Sequence, residues 1–233
     1  MTMNLLIIIP AYNEEASLPG VIEDLRQHAP SAHVLVVNDG SRDATARVAR
    51  ELGVAVLDLP FNLGIGGAVQ AGYCYAERKG YDVAIQFDGD GQHRACEIPK
   101  LLEPIAAGRA DLVIGSRFLS PVGYKSPIFR KLGIGIFSFV LSRILENTVT
   151  DSTSGFRAAN RPVIQFFART YPDDYPEVES LVLLHKMDLR MEEVSVGMCE
   201  RTGGTSSITP IRSVYYMTKV LLAIFIDLMK KVR

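Results

Sequence analysis

The residues best suited to chemistry form one short run, Phe87-Asp88-Gly89-Asp90-Gly91-Gln92-His93. Two carboxylates one residue apart can both offer oxygen to a hard divalent cation. Gly89 and Gly91 let the backbone turn tightly beside them. Mg²⁺ or Mn²⁺ held there would meet the oxygens of a diphosphate and neutralise its charge as it leaves. Asp88 and Asp90 are the candidate metal ligands, and His93 either orients the loop or is a neutral structural histidine. A solvated turn uses the same residue types, so the tripeptide is weak evidence alone. An EF-hand is excluded because the later acidic ligands of that loop are missing.

Two further polar clusters follow apolar runs. In Pro10-Ala11-Tyr12-Asn13-Glu14-Glu15, Tyr12 has a ring able to stack on a base, and Glu14 has acceptors for ribose or base. In Asn38-Asp39-Gly40-Ser41, Asp39 can accept from a base N–H, uracil and guanine fitting equally well. Helix caps and turns are the structural alternative for both clusters. Asn62-Leu63-Gly64-Ile65-Gly66-Gly67 lacks the register of a dinucleotide fingerprint, because Val69 stands where its last glycine belongs. Backbone amides at a helix start, or close packing, are its expected uses.

The elements that must position these clusters are legible from periodicity. Leu5–Ile9, His33–Val37, Val54–Leu57, Val83–Phe87 and Leu112–Gly115 are short apolar runs, as expected for strands buried on both faces. Between them, Ser17–His28, Ala44–Leu52, Leu63–Lys79 and Glu97–Ala107 carry helical spacing, with Ser41 or Asp43 expected to cap the second. This alternation predicts an α/β fold, a mostly parallel central sheet flanked by helices. Ligands of such sheets sit beyond the carboxyl ends of the strands, where all three polar clusters fall. Past Arg117 the alternation weakens. An apolar helical stretch is expected over Ile128–Leu145, a polar turn over Asp151–Arg157, helices over Pro162–Thr170 and Glu179–Lys186, and a strand within Arg190–Gly197. A loop over Thr202–Thr209 and a helix over Ser213–Lys231 close the chain.

Composition narrows the class. Of 233 residues, 48% are hydrophobic and 22% charged, enough to bury a full core and inconsistent with disorder. A formal net charge of -1 and the lack of a basic, aromatic-laced stripe argue against nucleic acid. Cys74, Cys96 and Cys199 form no zinc spacing and read as reduced thiols of a cytoplasmic protein. Met1–Ile9 lacks a basic leader and reads as a first strand, not a signal peptide.

Pro10–Glu15, Val36–Ser41, Asn62–Gly72, Asp88–His93, Gly115-Ser116-Arg117 and Ser154-Gly155-Phe156-Arg157 occur in this order. Together they resemble the family 2 glycosyltransferases of the GT-A fold, and among these the polyprenyl-phosphate sugar transferases of the dolichyl-phosphate mannose synthase type. The resemblance implies a Rossmann-like domain over 1–210, with a nucleotide-sugar-binding half (1–118) and an acceptor-binding half (119–210). The amphipathic helix 211–233 would contact a membrane or partner. It implies an inverting transfer of a hexose-type sugar from a nucleoside diphosphate sugar to a polyprenyl phosphate. Pro10, Ala11, Tyr12, Glu14 and Asp39 would hold the nucleoside, with Asp88 and Gly89 against the sugar nucleotide. Asp88, Asp90 and Gln92 would sit at the metal, with Asp90 serving catalysis through it. Arg117 would serve catalysis facing the acceptor phosphate or the donor diphosphate, Arg130 would be a second ligand of the acceptor phosphate, and Arg201 would clamp the diphosphate, because a planar guanidinium matches phosphate bidentately. Asp151 matches an acidic position of the family. It would be a general base toward a hydroxyl acceptor, but toward an already ionised phosphate it would only position Arg117 or the acceptor. Two alternatives remain: transfer to a glycan hydroxyl with Asp151 as base, and a non-catalytic nucleotide-sugar-binding subunit.

Phe129–Leu145 and Val214–Met229 are apolar in the middle with basic ends, which suits helices lying in a bilayer interface. No run reaches the roughly 18 apolar residues of a spanning helix. The expectation is a cytoplasmic enzyme, peripheral at the inner face of the membrane or beside a small membrane-protein partner. Ordinary core or a dimer face explains the same pattern, which leaves a homo-oligomer open.

Overall fold

The computed structural model describes residues 3–119, 141–145, 149–173, 176–199, 219 and 222. The strands are β1 (Leu5–Ala11), β2 (His33–Asn38), β3 (Ala55–Asp58), β4 (Val83–Gln86), β5 (Leu112–Ser116), β6 (Arg157–Asn160) and β7 (Met191–Ser195). The helices are α1 (Leu18–His28), α2 (Thr45–Glu51), α3 (Gly64–Lys79), α4 (Ile98–Ala106), α5 (Arg161–Arg169) and α6 (Pro176–Lys186). The strands form one sheet in the order β3-β2-β1-β4-β6-β5-β7. All pairs are parallel except those made by β6, which runs antiparallel between β4 and β5.

The apolar runs behave as both-face-buried strands must. Along β1, Leu6 and Ile8 face a layer containing Tyr73 of α3, Phe167 of α5 and Leu181 of α6. Ile7 and Ile9 face a layer of Leu18 and Ile22 from α1 and Leu101 from α4. Burying each such side chain is worth roughly 1.5–3 kcal/mol, so a register slip would swap two full layers and is strongly disfavoured. A Cβ on Gly72 would run into Ile8, so this glycine lets α3 lie close against β1.

Two local expectations are corrected. Arg157, expected as the last residue of a polar turn, instead opens strand β6, and residues 158–160, for which no element is expected, continue it. It is short and carries two alanines, so it lacks the β-branched signature of a strand. It is held by its neighbours instead, with Val83 opposite Asn160 and Leu112 opposite Ala159. Neither Ser41 nor Asp43 is the N-cap residue of α2. That position is Ala44, with no side-chain cap bond. Asp43 accepts from the main chain of Thr45 and of Glu15, and Ser41 accepts from Asn13 N–H, which ties the β1 and β2 loops together.

Residues 141–144 are helical, and Leu141 and Leu145 belong to the core. The rest of the Ile128–Leu145 stretch and the Ser213–Lys231 helix lie outside the described residues, apart from the isolated positions 219 and 222. Among the described residues, no helix is long and apolar enough to cross a membrane.

Candidate active site

The carboxyl ends of β1, β2, β4 and the segment entering β6 open on one cleft of about 370 Å³. Pro10, Ala11, Tyr12 and Glu14 reach it from β1, Asp39 from β2, and Asp88, Gly89 and Asp90 from β4. The three polar clusters therefore converge, as a parallel sheet with ligands at its strand ends requires.

On the cleft wall, Tyr12 is 43% exposed. Asp39 is buried, and its carboxylate accepts from Leu63 N–H at 2.7 Å and Gly64 N–H at 2.9 Å. It thus caps α3 and fixes the glycine loop as a wall of the cleft. A carboxylate has about four lone-pair sites, so acceptors remain for a ligand. Glu14 accepts from Ser17 Oγ at 2.5 Å.

The aspartate turn is braced from behind. His93 is buried, its ring stacked on Phe156 at 4.7 Å and set edge-on to Phe87 at 5.3 Å. Burial pushes its pKa down to about 4, so the ring is neutral at physiological pH. Its Nδ1 accepts from Asp88 N–H at 2.9 Å. Asp90 Oδ1 accepts from Gln92 N–H at 3.0 Å, and Gln92 O accepts from Cys199 N–H at 2.8 Å. Gln92 lies beside the turn but not on the cleft wall. Gly155 faces Asp88 from across the cleft: a Cβ there would stand 3.0 Å from Asp88 Oδ1 and 3.0 Å from Gln86 Nε2.

Among the described residues, every charged side chain on this cleft is acidic: Glu14, Asp39, Asp88, Asp90 and Glu177. A diphosphate would be repelled there without a bound cation. Among the described residues, no three His, Cys, Asp or Glu side chains gather as a metal-ligand group. Two carboxylates with the remaining positions left to substrate oxygens and water is the pattern of Mg²⁺- and Mn²⁺-type sites on phosphate substrates, and Asp88 and Asp90 fit it.

Arg117 and Asp151 sit beside the cleft instead of on its wall. Arg117 Nε and NH2 reach Asp151 Oδ2 and Oδ1 at 2.7 and 2.8 Å. Arg117 N–H and Thr153 Oγ1 donate to the same carboxylate at 3.1 and 3.3 Å. Asp151 is wholly buried, and four donors occupy its four lone-pair sites. Glu193 of β7 in turn accepts from the Thr150 and Asp151 main chain at 2.8 and 2.9 Å. Arg130 and Arg201 lie outside the described residues.

Residues 6–167 match the model of the glycosyl transferase family 2. The chain belongs to that family. It is 34% identical over 203 residues to the polyprenol monophosphomannose synthase of Mycolicibacterium smegmatis, covering 84% of this chain and 74% of that one. It is 31% identical over 210 residues to a UDP-N-acetylglucosamine–dolichyl-phosphate N-acetylglucosaminyltransferase of Methanococcus voltae, covering 82% and 83%. Its fold matches glucosyl-3-phosphoglycerate synthase from Mycobacterium tuberculosis, crystallised with Mn²⁺, uridine diphosphate and phosphoglyceric acid. The TM-score is 0.74 at 18% identity, covering 97% of this chain and 78% of that one. The GT-A architecture expected of a family 2 glycosyltransferase is thus present.

Four contributors escaped the sequence reading. Thr153 and Gly155 lie within the expected polar turn, and Glu177 lies just before the expected helix start. Glu193 was one acidic position in an alternating strand. Only Gly155 carried a signal, as part of a motif of the family resemblance.

Proposed function

We propose that this family 2 enzyme is an inverting, divalent-cation-dependent glycosyltransferase that moves a hexose-type sugar from a nucleoside diphosphate sugar to a polyprenyl phosphate. The observation that carries the reading is the convergence of Tyr12, Asp39, Asp88 and Asp90 on one acidic cleft. The names of the relatives supply the acceptor class: one transfers mannose and the other N-acetylglucosamine, each to a lipid phosphate.

Pro10, Ala11, Tyr12, Glu14 and Asp39 hold the nucleoside, Tyr12 by stacking. Asp88 and Asp90 hold Mg²⁺ or Mn²⁺, with Gln92 completing the turn. The cation, when bound, neutralises charge on the departing diphosphate. The acceptor phosphate oxygen attacks the anomeric carbon on the face opposite the diphosphate. The bond to the diphosphate oxygen breaks with its electron pair, so an α-linked donor yields a β-linked product. Arg117, aimed by Asp151, stabilises phosphate charge in that transition state. The saturated lone pairs of Asp151 support positioning over proton abstraction, and an ionised phosphate needs no base. Arg130 and Arg201 complete the anion clamp. The chain acts peripherally at the cytosolic face of the membrane.

Radiolabelled UDP-glucose, UDP-N-acetylglucosamine and GDP-mannose, each offered with undecaprenyl phosphate and Mn²⁺ in detergent, test the reading. One of them should place label in organic-extractable lipid, and chelation should stop it. Label appearing only in water-soluble product would refute the acceptor.

A further inference from the structure

The cleft has a direction. In sheet order its contributors run from β2 and β1, through β4, to the segment entering β6. Tyr12 and Asp39 mark the nucleoside end, and Asp88 and Asp90 the middle. The far end is closed by Thr153, Gly155 and Glu177. A nucleoside diphosphate sugar laid along this line places its base on β1 and β2, its diphosphate at β4, and its sugar against the far wall.

Glu177 stands in the first turn of α6. Its main-chain carbonyl is gripped: Arg157 NH2 donates to it at 2.7 Å and Ser180 Oγ at 3.2 Å. Arg157 is 1% exposed, and its other bonds go to Ser154 O, Ser152 O and Ser180 Oγ. A buried guanidinium bonded only to neutral oxygens is unusual, and here it pins the α6 start to the β6 entry. The Glu177 carboxyl takes no side-chain hydrogen bond among the described residues. Burial pushes its pKa up, with the nearby Arg157 charge opposing that shift and the Asp88 charge adding to it. Glu177 is half-buried on the cleft wall and takes only its own main-chain N–H as a donor among the described residues, so its carboxyl keeps lone pairs for the donors of a ligand. Behind the same wall, Gln86 Oε1, Ser152 Oγ and Tyr73 OH are buried without a partner among the described residues.

We infer that Glu177 reads the transferred sugar: its carboxylate accepts hydrogen bonds from hydroxyl groups of the donor's sugar ring, and Arg157 is the positioning residue that holds it there. Sugar hydroxyls are the donor-rich part of the substrate, and a carboxylate can accept from two neighbouring hydroxyls at once. This rests on the proposed nucleotide-sugar reading of the cleft.

Calorimetric titration of the full chain with Mn²⁺ separates the two ideas. Wild type, Glu177→Gln and Glu177→Ala are each titrated with the sugar nucleotide that wild type binds best among the three named above, and with its nucleoside diphosphate. The expected result is a loss of about tenfold to a hundredfold in sugar-nucleotide affinity for Glu177→Ala, the scale of charge-assisted hydrogen bonds, with nucleoside diphosphate affinity unchanged. Glu177→Gln, which keeps the shape and the acceptor oxygen, should lose less and shift the preference among the three sugars. Equal losses for both ligands, or no loss in either variant, overturn the inference while leaving the cleft a nucleotide site. If wild type binds none of these ligands, the parent reading falls and this one with it.

Discussion

Asp151 and Arg117 act as a unit at the residue scale. Arg117 is 8% exposed in its side chain and Asp151 not at all, so removing one charge strands the other in a dry setting. Asp151→Asn should cost about 3–5 kcal/mol in urea unfolding, the usual penalty for breaking a buried pair. Activity gives the sharper test. If Asp151 works through Arg117, then Arg117→Ala, Asp151→Asn and the double variant lose similar activity, because the second change removes nothing new. An independent base would make the losses multiply. Gly155 gives a second test at this scale. A Cβ there forces the Asp88 carboxylate to move by a few tenths of an ångström, and that carboxylate, partly exposed, has room to yield. Gly155→Ala should therefore raise the Mn²⁺ concentration needed for half-maximal activity, and, because the same Cβ meets the buried Gln86 amide, lower the unfolding midpoint as well. An unchanged Mn²⁺ requirement would remove Asp88 from the metal site.

At the element scale, a single carboxylate ties three strands. Asp111 precedes β5. It accepts from Asn160 Nδ2 of β6 at 2.8 Å, and from Arg190 N–H and Nε, just before β7, at 2.9 and 3.0 Å. The Arg190 guanidinium bond holds its pKa below the usual carboxylate range. A depressed folded pKa means stability that is present above the unfolded value and lost as pH falls through the folded one. Wild type should therefore lose stability as pH drops below about 4, and Asp111→Asn should be less stable at pH 7 yet flatter over that acid window. Parallel acid profiles would contradict the tie. The same region shows what the sequence could and could not reveal. The parallel strands are legible because each is an apolar run cut off by polar or glycine residues. β6 is not, because Arg157-Ala158-Ala159-Asn160 is specified by β4 and β5 on either side, not by its own composition. The three polar clusters were legible as strand-end residues. Glu177 and Glu193 were not, because their roles depend on the chain returning from far away: Glu193 reaches Thr150 and Asp151 across more than 40 positions.

At the scale of the whole molecule, the sheet gathers an acidic cleft at the carboxyl ends of its parallel strands, and the proposed substrates are both phosphate-bearing. Cation binding and lipid attachment should then be separable. The full chain should co-sediment with anionic vesicles and be released by salt, since attraction of basic side chains to such a surface is screened. Indifference to vesicles of any composition would count against the peripheral placement. The central claim is that the Asp88-Gly89-Asp90 turn serves transfer onto a lipid phosphate. The most direct measurement is the initial rate of label transfer by wild type and Asp90→Ala to polyprenyl phosphate and to the phosphate-free polyprenol. The account predicts product with wild type and polyprenyl phosphate alone, and a folded but inactive Asp90→Ala chain. Substantial turnover by Asp90→Ala, or equal transfer to the free alcohol, would contradict it.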